Sequence, residues 1–407
     1  MGAIMSYASD KNCQVRGLVS CTMRILHTSD WHIGRTFHGV DLLDDQRAVL
    51  ARIAEIVAEN SVDVVVMSGD LYDRAMPSAD AIRVCADAFV QIRDAGAQII
   101  ATSGNHDSAT RVGSGAAFTA AGGLHLKTRV SEIDTPVVLN DEYGPVAFYA
   151  IPYLEPDVVR GELGCVDERS HHAVVDAAMG RIRANIEQRR NNSQGRAIRT
   201  FVSAHAFVVG AHPSESERTI SVGGVETVPQ SVFDGVDYVA LGHLHTPQKL
   251  SETVRYSGSP LPYSFGERSH HKAVWLIDFG ETGVTDIRAV NLPVVRPLSE
   301  VRGELADLLA DPNLTDIVGH YISAVLTDPV RPTDAMRALR QRFPHTVRLT
   351  WERPHEGEKV GYRERMRGVT DREAARRFLI DTWKEPEDAD LSLIEEAFAS
   401  VAAATDD

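Results

Sequence analysis

Basic charge is scarce in this sequence: 42 Lys and Arg stand against 57 Asp and Glu, a formal net charge of −15. A protein that grips nucleic acid by bulk electrostatics shows a basic face, so that mode is excluded unless divalent cations offset the carboxylates locally and a partner supplies most phosphate contacts. Cysteine is scarcer still. Cys13, Cys21, Cys85 and Cys165 lie far apart and form no C-x-x-C pair, which excludes a zinc knuckle and a disulfide framework and fits a reducing cytoplasm. No apolar run reaches the roughly 18 to 20 residues that span a bilayer. The N-terminus lacks a basic region followed by a sustained apolar stretch, so no membrane anchor and no export are expected.

What is present is the composition of a globular protein, 43% apolar and 24% charged, in a chain of 407 residues. That length exceeds what a single core usually supports, and at least two domains are expected. Residues 1–22 show no periodicity and read as a disordered extension before Met23. From there short β-branched runs (63–68, 98–102, 146–151, 200–204, 237–241, 273–278) alternate with segments of helical spacing (45–60, 80–94, 171–190), the pattern of an α/β sheet covered by helices. After residue 293 the pattern changes to helix (299–310), strand (321–326), helix (333–343) and strand (347–351), a small α+β domain over 294–352. A charged stretch, 353–369, reads as a linker. The segment 370–407 opens on the capping box Thr370-x-x-Glu373 and gives two helices broken at Pro386, the second with Leu391, Ile394, Phe398 and Val401 on one side.

Five of the expected strands run directly into residues of metal-ligand type. The first gives Asp30-Trp31-His32, where an extended backbone would aim the carboxylate and the imidazole the same way. The second gives Gly69-Asp70, with Asp70 readable as a simple helix N-cap. The third gives Gly104-Asn105-His106-Asp107, the fourth a lone His205, readable as a satisfied structural histidine, and the fifth Gly242-His243-Leu244-His245. Each is weak alone, but carboxyl ends of parallel strands share one edge of a sheet, so the five sets are expected to meet. Mixed Asp, Asn and His ligation suits Mn, Fe or Zn better than Mg.

The ordered set D-x-H, G-D, G-N-H-D, H and G-H-x-H resembles the calcineurin-like metallophosphoesterase superfamily. The strings M-R-I-L-H-T-S-D-W-H-I-G over 23–34, G-D-L-Y-D-R over 69–74 and G-S-P-L-P-Y over 258–263 are similar to the bacterial SbcD family of exonuclease subunits. The resemblance implies a four-layer β-sandwich flanked by helices over 23–293, with a capping domain and C-terminal helices. It also implies two divalent ions, Mn2+ foremost and Fe or Zn as alternatives. Asp30, His32, Asp70 and His245 would hold one; Asp70, Asn105, His205 and His243 would hold the other. His106 would be the catalytic imidazole that is not a ligand, and Asp107 would orient a nearby imidazole. The implied partners are double-stranded DNA ends and hairpins, the coiled coil of an SbcC-type ATPase bound by 370–407, and a second copy of the chain, giving a homodimer and a heterotetramer with SbcC. The implied activity is phosphodiester hydrolysis, both exonuclease and endonuclease, in DNA repair, recombination and replication. The alternatives are hydrolysis of phosphomonoesters or cyclic nucleotides, and a non-catalytic scaffold, which would lack ligands that this sequence retains.

Overall fold

The computed structural model describes residues 22–192, 198–214, 216–217, 227–352, 368–383 and 388–404. The expected N-terminal extension up to residue 21, with Cys13 and Cys21, nearly all of the linker and the break at Pro386 lie outside the described residues. The described residues through Leu326, together with Thr333–Thr350, form one compact unit; Thr327–Pro332 and the described residues from Trp351 onward form a second.

The first unit is built on two six-stranded sheets. One runs, in spatial order, Gly283–Asn291, Ala273–Gly280, Met23–Thr28, Val64–Ser68, Gln98–Thr102 and Leu124–Leu126; the other runs Gln248–Lys249, Val254–Tyr256, Tyr238–Gly242, Arg199–His205, Gly144–Ile151 and Val137–Asp141. Central strands are parallel: Met23–Thr28 with Val64–Ser68 and that with Gln98–Thr102 in the first sheet, Arg199–His205 with Tyr238–Gly242 in the second. Their near-continuous apolar runs follow from burial on both faces. Val65 and Met67 join Leu26 and the helices Leu43–Glu59 and Ala79–Asp94 in an outer core. The alternate residues Val64 and Val66 join Ile25, Phe148, Phe201 and Tyr238 in a core between the sheets. A third core packs the second sheet beneath the helices Pro156–Leu163 and His171–Asn192. The layers are therefore helix, sheet, sheet, helix, and the α/β sandwich is the observed fold.

Where the sheets come closest, side chains give out. A Cβ on Gly242 would strike the Ser68 carbonyl oxygen, an atom of the opposite sheet. Gly242→Ala is expected to force the sheets apart at the edge that carries the ligand-type residues, at a cost of about 1–3 kcal/mol. Chemical denaturation read together with activity checks this.

One expected helix is corrected. Residues 299–310 are not one helix: Leu298–Gly303 is a strand parallel to Tyr321–Leu326, and only Leu305–Ala310 is helical. Leu298, Val301, Leu305 and Leu308 are spaced by three and four, which imitates a helix, but Glu304 between them is extended at ψ 146 and caps the short helix. With Thr346–Trp351 these strands form a three-stranded sheet. Leu298 and Tyr321 belong to the same core as the first large sheet.

In the second unit the helices Asp371–Trp383 and Asp388–Ala404 are present, and the Glu373 N–H meets Thr370 Oγ1 at 3.4 Å, one half of the expected capping box, while the Glu373 carboxylate accepts from Arg377 Nε at 3.0 Å. Arg372 and Glu395 join the two helices at 3.3 Å. Leu391, Ile394 and Phe398 are half-buried, and Val401 lies outside the described side chains.

Candidate metal centre

Each set of ligand-type residues begins where a central strand stops. In the first sheet, Met23–Thr28 leads to Asp30 and His32, Val64–Ser68 to Asp70, and Gln98–Thr102 to Asn105 and His106. In the second, Arg199–His205 ends on His205, and Tyr238–Gly242 leads to His243 and His245. The sheets are pinned to each other here. Ser203 Oγ donates to Ser68 Oγ at 2.9 Å, and His205 Nδ1 donates to the Ser68 carbonyl at 2.9 Å.

The reason given by the sequence for Asp30 and His32 sharing a face does not hold, although the two do meet. Neither is extended: Asp30 has φ 53 and His32 φ 45, and Asp70 (φ 55) and His243 (φ 109) also have positive φ. Such backbone costs about 1–3 kcal/mol per residue outside glycine and persists only where the surroundings impose it. Here paired loops impose it: Asp30 N donates to Gly69 O, and His32 N donates to Asp70 O, each at 3.0 Å.

The side chains converge in buried surroundings. His32 Nε2 lies 3.0 Å from His245 Nε2 and 3.7 Å from Asp70 Oδ2. The same Asp70 oxygen lies 3.4 Å from His205 Nε2, so it stands between the two groups of histidines. Asn105 Oδ1 is 2.9 Å from His205 Nε2 and 3.3 Å from His243 Nδ1. Among the described residues, three sets could hold an ion: Asp30, His32 and His245; Asp30, Asp70 and His205; and His32, Asp73 and His106. Asp30 belongs to the first two, and Asp70 borders both through His32. His243 and His245, two residues apart, face different sets.

Burial holds the imidazoles of His32 and His245 well below their ordinary value and that of His243 at about 3, so these three are neutral. Burial also raises the Asp30 carboxyl, helped by the charge of Asp70 and opposed by His205. For Asp70 burial acts upward too, but the charge of His205 and its hydrogen bond outweigh it and hold the carboxyl low. His205 rises to about 9: burial lowers it, and Asp70 more than reverses that. Without a metal, protonated His205 stands between Asp70 and Asn105 and compensates them, while the neutral imidazoles of His32, His243 and His245 keep lone pairs that a cation could take. The mixed nitrogen and oxygen donors fit a borderline divalent metal.

His106 is placed differently. Its Nδ1 donates to the Asp73 carbonyl at 2.8 Å, its backbone N–H holds Asp70 Oδ1 at 2.8 Å, and its ring meets that of His32 edge-on at 4.6 Å. Asp107, expected to orient an imidazole, instead accepts three backbone N–H groups, of Leu71, Tyr72 and Gly104, each at 3.0 Å. It ties the loop of Asp70 to the loop of Asn105. Asp107→Ala is expected to leave those amides unpaired, to destabilise the fold by roughly 2–5 kcal/mol, and to weaken activity through loop disorder; a melting curve beside an activity assay checks it.

Several supporting residues were invisible in the sequence. Glu217 accepts the His245 N–H at 2.7 Å, and Lys272 donates to the His245 carbonyl at 2.7 Å. Arg35 donates to the Ser216 carbonyl at 2.7 Å and lies over the Tyr263 ring. Trp31 is buried, donates to Thr28 Oγ1 at 2.9 Å and packs on Phe89. It is a core residue.

Comparison with known proteins follows the same lines. A family model described as calcineurin-like phosphoesterase matches residues 23–247, and an SbcD C-terminal model, described as type 5 capsule protein repressor C-terminal domain, matches 294–382. Among solved structures, a dimetal phosphatase from Danio rerio is 11% identical, with 67% of this chain and 100% of that chain covered at a TM-score of 0.39. Purple acid phosphatase PPD1 from yellow lupin (Lupinus luteus) seeds is 12% identical, with 67% and 54% covered at a TM-score of 0.33. The first family match takes in more than half of the chain, from the first central strand through His245, and this protein belongs to the calcineurin-like phosphoesterases, with an SbcD-type domain following the sandwich.

Proposed function

We propose that the chain is the nuclease subunit of an SbcC–SbcD-type complex, a cytoplasmic enzyme that hydrolyses phosphodiesters at DNA ends and hairpins with two divalent ions, Mn2+ foremost. The observation that carries the reading is the convergence of ligand-type side chains from both sheets around Asp70 Oδ2, with His106 alongside. Asp30, His32, Asp70 and His245 hold one ion, and Asp70, Asn105, His205 and His243 the other. When bound, the pair supplies an activated water and neutralises charge on the attacking and leaving oxygens.

The protein's own groups do the rest. Strained loop backbone and the Asp107 staple hold the ligands in place before any substrate arrives, which lowers the reorganisation needed during reaction. His106, with Nδ1 committed to the Asp73 carbonyl, presents Nε2 as the atom that holds and delivers a proton to the leaving 3′-oxygen. The SbcD-type domain supports DNA over small phosphate esters as substrate. The helices Asp371–Trp383 and Asp388–Ala404 are the docking segment for the ATPase coiled coil, and their deletion is expected to abolish co-purification with SbcC. The ATPase supplies the phosphate contacts that a chain of net charge −15 lacks, and a second copy completes the heterotetramer.

The test is Mn-dependent cleavage of linear and hairpin-ended duplex DNA beside a phosphomonoester and a cyclic nucleotide, with metal content measured. Cleavage of DNA with poor monoester turnover supports the reading; turnover of the small esters alone overturns it. Because ions would bind ligands drawn from both sheets, Mn2+ at about 100 times its dissociation constant is expected to stabilise the fold by about 2.7 kcal/mol for each site filled, about 5.4 kcal/mol for two. Calorimetry with and without chelator reads this.

A further inference from the structure

Ser216 lies in none of the five motifs, yet its hydroxyl reaches the site. Ser216 Oγ is 2.5 Å from His245 Nδ1 and donates to Glu267 Oε1 at 2.6 Å. All three residues are buried, as is Lys272. Glu267 is heavily committed as an acceptor: Oε1 also takes Ser264 Oγ–H at 2.9 Å and the Tyr263 N–H at 3.2 Å, and Oε2 takes Lys272 Nζ at 2.5 Å. Lys272 in turn donates to the His245 carbonyl and to Ser259 Oγ.

Counting protons gives direction to this chain. A serine hydroxyl has one proton to donate, and a carboxylate is a stronger acceptor than a neutral imidazole or a second hydroxyl. Ser214 Oγ lies 3.0 Å away but spends its own proton on Glu217 Oε2 at 2.7 Å. The Ser216 proton therefore goes to Glu267, and toward His245 the Ser216 oxygen can only accept. His245 must then carry its proton on Nδ1, which leaves the Nε2 lone pair facing His32 Nε2 at 3.0 Å and the centre of the site.

We propose that Ser216, oriented by the Glu267–Lys272 pair, is a positioning residue that fixes His245 in the Nδ1–H tautomer and so keeps its Nε2 available to a divalent ion. The inference deepens the proposed two-ion site and rests on His245 facing a metal. Three distant parts of the chain meet to build the device: the segment holding Ser216, the Gly242–His245 loop, and the stretch from Tyr263 to Lys272. A ligand histidine whose other nitrogen is pinned typically loses about 10–100-fold in metal affinity when the pin is removed.

The test has two readouts. In the metal-free chain, 15N shifts of the His245 ring are expected to report the Nδ1–H tautomer, with a mixture of tautomers in Ser216→Ala and the wild-type pattern restored in Ser216→Thr. Titration with Mn2+ is expected to show one of two sites weakened about 10–100-fold in Ser216→Ala and Glu267→Gln, the other unchanged. An Nε2–H tautomer in wild type, or a Ser216→Ala chain with unaltered tautomer and both affinities intact, overturns the proposal. A wild-type chain that binds no divalent ion overturns the two-ion reading itself, and the ring shifts then show separately whether the hydrogen-bonded device exists.

Discussion

Asp70→Ala is expected to remove both bound ions together and to reduce DNA cleavage by well over the roughly 10^3-fold that loss of a single electrostatic contact costs an active site. The reason is positional. One oxygen of Asp70 lies 3.7 Å from His32 Nε2 and 3.4 Å from His205 Nε2, so it belongs to both ligand sets, while the other is held by the His106 N–H. Removing it deprives each ion of a ligand and frees the loop that carries His106. Metal analysis of the purified variant should find neither ion at stoichiometric level. A variant that kept one ion tightly would show that the sets are independent. His205 supplies a useful contrast, since it borders one set and its loss should spare an ion.

His106→Ala should separate chemistry from metal binding. Its ring nitrogen Nδ1 is spent on a backbone carbonyl, and the hydrogen bond it gives Asp70 comes from the backbone, which alanine retains. Both ions are therefore expected to stay, the melting temperature to change little, and cleavage to fall by about 10^2–10^4-fold, the usual share of a positioned general acid. Single-turnover cleavage with metal content measured in the same sample checks both halves. Loss of an ion from this variant would place His106 among the ligands; full activity would remove it from the mechanism.

The candidate ligands could be picked out of the sequence because strand-end sets of metal-ligand type came five times in order, and the structure brings them together. The geometry that joins them was not legible there. Period-two reasoning put Asp30 and His32 on one side of an extended segment, whereas both are left-handed, and no local pattern announces that a non-glycine residue will accept such strain. The same reasoning missed the strands Gly283–Asn291 and Leu298–Gly303. In the first, Val284, Ile287 and Val290 are the partly covered positions, and in the second Leu298 and Val301 are buried; apolar residues three apart defeat a test for alternation. Ser216, Glu267 and Lys272 escaped for another reason. Polar residues in loops carry a signal only through their partners, and those of Ser216 lie 29 and 51 positions along the chain. Asp107 was noticed for its motif and given the wrong object, because a carboxylate's choice between an imidazole and backbone amides depends on loops that fold around it.

The pairing of Met23–Thr28 with Ala273–Gly280, and of His32 with His245, has a consequence for the chain as it is made. The residues facing each other at the centre are 213 apart. At about 5–20 residues per second, roughly 10 to 40 s separate the appearance of the first from that of the last during synthesis. Through that interval the nascent chain holds isolated fragments of the centre, none with a full complement of donors, and the strand at the middle of its sheet lacks one neighbour. A phosphoesterase built this way is silent until well over half of it exists, with no inhibitor or propeptide required.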